Sequence, residues 1–581
     1  MSDIFAPAQE LEGAGRFAEA VREYTRLIDG GEGGSVALMR RGLLHNQLGS
    51  FARMTEDLEQ AERVGPDDPY PWMWQGHIAK AMRRPLFAAY CLRAALDHAP
   101  PAFKIEMRIN LAELLVQAGW LDEAAHLARA VPPDVRDWWA GTRRTALDRY
   151  AEAHASTLAL LASDRGAPGK RGKRIPPLLR RACRTPAMVR VRSLLRGRPG
   201  REPSPATRLD LAERLWSLGR LRPAAALCRA LIEEQPDDFA APELLSRVIA
   251  RAQGAEAALA YLQSLGSPHQ GAREWTKAVA RLLHDLGRFD EAIALIDRFG
   301  PQGHEELLIL SGLAHIAIGH ADRLDAFCRE WMLSTPESVP AGGFLVSAFY
   351  AARGEEREVP SVSATAQRLR MVHFWNSVDV PGDVRDTIAS WQRHHPQLDT
   401  TLFNTQTAAD FIHERYGSER SRAFAECRHP AMQADVFRIA FLGEEGGLYA
   451  DADELCLAPM DAVLAQAAKA EIAAIRSGET PNFLHNYFMG SRAGSPTFQR
   501  ALVMATDAIM LAAQQQRSID IWHCTGPGLV TRAAGLTIAE RFDTIDASEI
   551  ALVPMQQYRA FTRVHHELAY KQQPSTNWRL S

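Results

Sequence analysis

Through the first two thirds of the chain, apolar residues recur at helical spacing in short runs closed by glycine, as in the stretch from Leu111 to Gly119. Such a pattern predicts amphipathic helices joined by tight turns. The runs repeat. Phe17, Phe51, Leu86 and Leu121 each open a new apolar run, at intervals of 34, 35 and 35 residues. Farther on, Gly219, Gly254, Gly287 and Gly319 are separated by 35, 33 and 32 residues. One helix pair of this length cannot bury its own apolar face, so stacked pairs sharing a continuous core are expected. From Arg368 the period changes. An apolar run from Leu369 to Trp375 predicts a buried first strand. A helix follows over 381–395, ended by Pro396, and then a second strand over 400–403. Strands alternating with helices predict a mostly parallel sheet, with ligands at the strand ends.

The most informative stretch runs from His429 to Asp453. Pro430 suits a first helical turn, and Asp435 and Arg438 then fall on one helical face. Gly446 and Gly447 end that helix, and Leu448, Tyr449 and Ala450 form a short strand leading to Asp451 and Asp453. Carboxylates two apart in extended chain point the same way and can share one hard divalent cation, which in turn can hold a diphosphate.

Composition adds bounds. With 46% hydrophobic and 24% charged residues, the 581-residue chain reads as a soluble, multidomain globular protein. A net charge of −3 gives no global affinity for nucleic acid. The seven cysteines, Cys91, Cys183, Cys228, Cys328, Cys427, Cys456 and Cys524, are dispersed and lack metal-binding spacing, which predicts a reducing, cytoplasmic setting. The start reads as no signal peptide, and no apolar run approaches the roughly twenty residues of a membrane span. One segment stands apart: residues 165–201 carry thirteen Arg or Lys and no acid, leaving the rest of the chain near −16. It reads as a solvated basic linker, or as a contact that holds the protein against the anionic inner face of a membrane.

Two resemblances follow from these residues. The period near 34, with helix, glycine turn and helix, resembles tetratricopeptide repeats, whose concave surfaces bind protein segments. The string Asp435-x-x-Arg438 followed by Gly446-Gly447-x-Tyr449-x-Asp451-x-Asp453 resembles the DXD-containing sugar transferases, among them fungal mannosyltransferases and glucosylating bacterial toxins. The fold class expected is therefore an α-helical tetratricopeptide-like solenoid followed by an α/β, GT-A-like nucleotide-sugar-binding domain. The boundaries expected are repeats over 1–160, a basic linker over 161–205, repeats over 206–360 and the transferase domain over 361–581.

The transferase resemblance implies more. The donor is a nucleoside-diphosphate sugar, carrying UDP or GDP, and the cofactor is Mn2+ or Mg2+. His373, Phe374 and Trp375 would hold the nucleotide, with Trp375 stacked on the base. Asp435, Arg438, Tyr449, Asp451 and Asn486 would line the sugar and diphosphate. Asp435, Arg438, Asp451 and Asp453 would carry the catalysis, with Asp451 and Asp453 holding the metal. Thr525, Gly526 and Pro527 resemble a turn beside the acceptor. Trp578 would close over the nucleotide, and Ser575, Thr576 or Asn577 would complete the metal shell. The family is retaining, which implies front-face attack by the acceptor. The function expected is transfer of a sugar to an acceptor recruited by the repeats, a protein in the first instance. The same chemistry on a lipid-linked or capsular glycan, or an inactive repeat scaffold, are the alternatives.

Overall fold

A computed structural model describes residues 4–163, 204–353 and 369–572, apart from short breaks at 14–15, 49, 102, 134–136, 267–268, 271, 300–304, 320, 479–480 and 566. The basic segment 165–201 and the terminal residues Ser575, Thr576, Asn577 and Trp578 lie outside the described residues. The chain forms two compact units, residues 58–314 and residues 1–57 with 315–581.

The elements described in the first of these are helices. Pro69–Ala81 is followed by Pro85–His98, Lys104–Gln117 by Leu121–Arg129, Pro205–Ser217 by Leu221–Glu234, and Arg273–Asp285 by Phe289–Ile296. The glycine markers stand in the turns with positive φ, 77° at Gly119, 69° at Gly219 and 77° at Gly287. Leu111, Leu115, Trp120, Leu215, Trp216 and Leu245 form one continuous core across successive pairs. The mostly helical first part is thus the tetratricopeptide-like solenoid that its period predicts. Its turns also meet across the array: Leu86 N–H donates to Asp285 Oδ1 at 3.2 Å, and Arg84 Nη2 donates to the Asp285 carbonyl at 3.1 Å.

The second unit holds the sheet. Its eight strands are β1 (Leu369–Phe374), β2 (Leu398–Phe403), β3 (Gly447–Ala450), β4 (Glu454–Cys456), β5 (Ile472–Arg476), β6 (Leu484–Ser491), β7 (Ile550–Pro554) and β8 (Thr562–Val564). Six of them form a sheet in the order β2-β1-β3-β6-β5-β7, and β4 pairs with β8 in a separate ribbon. The pairs β1–β2, β1–β3 and β5–β7 are parallel, but β6 runs antiparallel to both β3 and β5. The sheet is therefore mixed, where strand–helix alternation predicted a mostly parallel one. The reason is local: between β5 and β6 there is no helix, only the short link 477–483, which returns the chain antiparallel.

The helix Pro430–Glu444 is buried continuously from Asp435 to Gly443, so it shows no polar face. Helices Ala321–Ser334 and Val339–Arg353 belong to this same unit, ahead of the first strand. Val339–Arg353 crosses Pro527–Arg541 at glycines: a Cβ on Gly535 would lie 2.6 Å from Gly342 Cα, and one on Gly343 would lie 2.2 Å from the Asn482 carbonyl oxygen. Neither backbone can yield cheaply. Gly343→Ala is expected to cost about 1–3 kcal/mol in chemical denaturation, the usual range for overpacking. An unchanged denaturation midpoint would show that Gly343 and the Asn482 backbone do not meet so closely. Arg476 secures the same region, with Nη1 on Asn482 Oδ1 at 2.7 Å, Nη2 on the Gln47 carbonyl at 2.6 Å, and its guanidinium 4.2 Å from the Tyr350 ring centroid.

Candidate active site

Two turns of chain bring the acids together. Pro430 occupies the first turn of its helix, and the His429 imidazole accepts the Ala431 N–H at 3.1 Å. At the other end Gly446 and Gly447 take φ of 68° and 93°. A side chain at Gly446 would meet the Ala493 backbone nitrogen at 2.4 Å, so glycine is required on both counts. The chain then enters β3, which lies between β1 and β6.

Asp435 and Arg438 stand one helical turn apart, both buried. Asp435 Oδ1 accepts from Asn486 Nδ2 at 2.8 Å and Oδ2 accepts from Thr525 Oγ1 at 3.0 Å. Arg438 Nη2 lies 3.3 Å from Asp435 Oδ1 and 3.0 Å from Asp451 Oδ1. Its remaining donors go to the Ala434 and Asn486 carbonyls, and its guanidinium sits 4.4 Å from the Tyr449 ring centroid. Tyr449 in turn donates its hydroxyl to Asp451 Oδ1 at 2.9 Å. One arginine thus ties the helical acid to the strand-end acid.

A bulge aims the opposite wall. The β5–β6 register jumps between Ala474, opposite Met489, and Ile475, opposite His485. The extra residues of β6 carry Asn486 to Asp435 and turn the Tyr487 carbonyl toward the Asp451 N–H, which it accepts at 2.8 Å.

Asp453 makes a different contact. Its Oδ2 lies 2.5 Å from Lys571 Nζ, and its carbonyl accepts the His565 N–H at 2.8 Å. Next to it, buried Glu454 is gripped by Arg559 at 2.7 and 3.2 Å.

Charge balance is unusual here. Burial pushes the Asp451 carboxyl up to about 7; Arg438 opposes the rise and Asp453 adds to it. Burial likewise raises Asp435, against the pull of Arg438, Thr525 and Asn486. Burial acts to lower the Arg438 pKa, but Asp451, Tyr449 and Asp435 together outweigh it and hold the group charged. A pair of hard oxygen donors two residues apart suits a divalent cation. Asp451 and Asp453 would hold Mn2+ or Mg2+, with further oxygens from diphosphate and water. Among the described residues no group of three or more His, Cys, Asp or Glu side chains converges.

The strand expected to hold the base is less open than its residues suggest. His373 is fully buried, its Nδ1 2.8 Å from the Ala450 carbonyl, and burial lowers its pKa to about 4, leaving a neutral ring. Phe374 is buried against Phe437 at 5.8 Å between centroids. Trp375, past the end of β1, is partly buried against Val384, Ala452 and Leu568. Thr525, Lys571, Glu454 and Arg559 were not among the expected site residues, although the turn containing Thr525 was noted. Their partners lie 90 or more residues away in sequence, and no local pattern signals them.

Residues 381–470 match the family model for the glycosyltransferase sugar-binding region containing a DXD motif. That stretch contains Asp435, Arg438, Asp451 and Asp453. No curated protein shows a match to this chain. Among solved structures, the glycosyltransferase PaToxG is similar at 12% identity over 29% of this chain and 69% of its own, with a TM-score of 0.24. Yeast Tom70 is similar at 10% identity over 60% of this chain and 88% of its own, with a TM-score of 0.27. The TPR domain of P58(IPK) is similar at 14% identity over 62% and 93%, with a TM-score of 0.17. The functional reading rests on the side chains rather than on these likenesses.

Proposed function

We propose that the protein is a metal-dependent, retaining glycosyltransferase that moves a sugar from a UDP- or GDP-sugar to a protein acceptor recruited by the helical repeats. The observation that carries this reading is the single network of Asp435, Arg438, Tyr449 and Asp451 at the end of β3, with Asp453 two residues on. A divalent cation bound by Asp451 and Asp453 would supply Lewis-acid stabilisation of the departing diphosphate.

The chain's own residues do the remainder. Asp435 is held by donors from two other segments, Asn486 and Thr525, so its carboxylate is oriented before substrate arrives. It is the group best placed to accept hydroxyl protons of the donor sugar, which turns binding energy into orientation. Arg438 is 4% exposed and its donors are spent on protein acceptors. It acts as a positioning residue, fixing Asp435 and Asp451 relative to each other. Tyr449 keeps the Asp451 Oδ1 edge occupied through its hydroxyl. Trp375 stands at the end of β1, adjacent to β3, where a base would enter.

No described helix is long and apolar enough to cross a membrane. The repeats are the part suited to holding a protein segment.

Incubating the full chain with a panel of UDP- and GDP-sugars and Mn2+, and measuring released nucleoside diphosphate by chromatography, tests the reading. One nucleotide class should be released, and a chelator should stop the release. Release that continues undiminished in chelator, or no release from any donor, would overturn it.

A further inference from the structure

Lys571 is presented to the acid pair by a docked turn. Leu568 is fully buried against Val384 and Ala452, the Ala569 N–H donates to Asp383 Oδ2 at 2.9 Å, and the Lys571 N–H donates to the Leu568 carbonyl at 2.9 Å. The backbone of this turn is therefore held while the side chain reaches inward. Its ammonium donates to the His565 carbonyl at 3.0 Å and meets Asp453 Oδ2 at 2.5 Å. Both partners are mostly shielded, with side chains 16% and 22% exposed.

An ammonium has no lone pair, so it cannot join a metal shell; it can only compete with one. A divalent cation drawn to Asp453 would stand within a few ångströms of this fixed positive charge, where partial burial leaves little screening. Asp451 Oδ1 likewise faces Arg438. The two acids each have a resident cation.

We propose that Lys571 is an internal counter-ion that occupies the metal's place on Asp453 and yields it only when a nucleoside diphosphate arrives. This rests on the reading of Asp451 and Asp453 as the metal-holding pair. The diphosphate supplies the anion to which the released ammonium transfers, so the cost of breaking the Lys571–Asp453 pair is recovered only when metal and nucleotide bind together. Metal alone then binds weakly, and each ligand strengthens the other by the same factor. The long, unbranched lysine stem allows this exchange of partners without moving the docked turn.

The test is calorimetric titration of Mn2+ into the chelator-stripped full chain, alone and with UDP or GDP present. Lys571→Gln should bind Mn2+ alone at least tenfold more tightly than the unaltered protein, and added nucleotide should tighten it less. Lys571→Arg, which keeps the charge, should retain weak binding of metal alone and strong coupling. Should the glutamine destabilise the turn, Lys571→Met keeps the apolar stem and gives the same comparison. Equal Mn2+ affinities in the unaltered protein and Lys571→Gln would overturn the counter-ion role and leave the metal reading standing. Absence of Mn2+ binding in every variant, with or without nucleotide, would overturn both.

Discussion

Asp453→Asn is expected to slow release of nucleotide from the donor by roughly a thousandfold or more, and to leave the metal-free fold within about 1 kcal/mol of the unaltered protein. The two halves have separate causes. Asparagine keeps the shape of the side chain but removes the charge that holds a hard cation. Loss of metal-assisted stabilisation of a leaving diphosphate is worth several kcal/mol in the transition state, and each 1.4 kcal/mol is about tenfold in rate. Stability responds less because the ion pair with Lys571 keeps some contact with solvent, and such pairs contribute on the order of 1 kcal/mol or less. The backbone contact to His565 is untouched. Single-turnover release of nucleoside diphosphate gives the rate, and denaturant titration in chelator gives the stability. A variant that turns over normally would remove Asp453 from the metal site.

Arg438→Met should do the reverse and strike the fold first, by about 3–5 kcal/mol at pH 8. Methionine fills similar volume but leaves two mostly buried carboxylates, Asp435 and Asp451, without their shared cation. It also removes the side-chain donor from the Asn486 carbonyl. The pH dependence follows from sign. Asp451 is already held up to about 7, well above an ordinary aspartate near 3.9, and loss of Arg438 raises it further. A carboxyl raised in the folded state binds protons the unfolded chain has released, so its contribution is lost as pH rises through that interval. The deficit should therefore be largest at pH 8 and shrink toward pH 5. Equal unfolding free energies for Arg438→Met and the unaltered protein at pH 8 would show that the arginine does not hold these acids together.

The separation of these two effects shows what each level of description contributes. Asp435 and Arg438 were legible as neighbours because four-residue helical geometry needs nothing but the local chain. Asp451 and Asp453 were legible at a strand end because Gly446 and Gly447 announce the stop before it. Arg438 looked like a sugar-binding residue from its place in the motif. The structure gives it four protein partners, two of them beyond the helix, which no motif shows. His373 and Trp375 were both expected at the nucleotide, with Trp375 stacked on the base. The strand's pleat buries His373 against Ala450 and leaves Trp375 past its end.

What the sequence determined by itself are the features set by short-range physics. These are the 34-residue helical period, the change of period at Arg368, the turn glycines, and the Asp435–Arg438 pair at helical spacing. Each depends on side-chain periodicity or on a φ angle that one residue type accepts. Asp451 and Asp453, expected in extended chain, lie instead in a turn closed by the Glu454 N–H on the Asp451 carbonyl at 3.0 Å. Only the tertiary structure decided the direction of β6, the bulge that brings Asn486 and the Tyr487 carbonyl to the acids, the Thr525 hydroxyl on Asp435, and the lysine on Asp453. Those contacts join residues 36 to 118 positions apart, from Tyr487 on Asp451 to Lys571 on Asp453. Buried charge must find a partner wherever the fold brings one near. That partner is chosen by packing across the whole sheet, and nothing in the local chain around Asp453 encodes it.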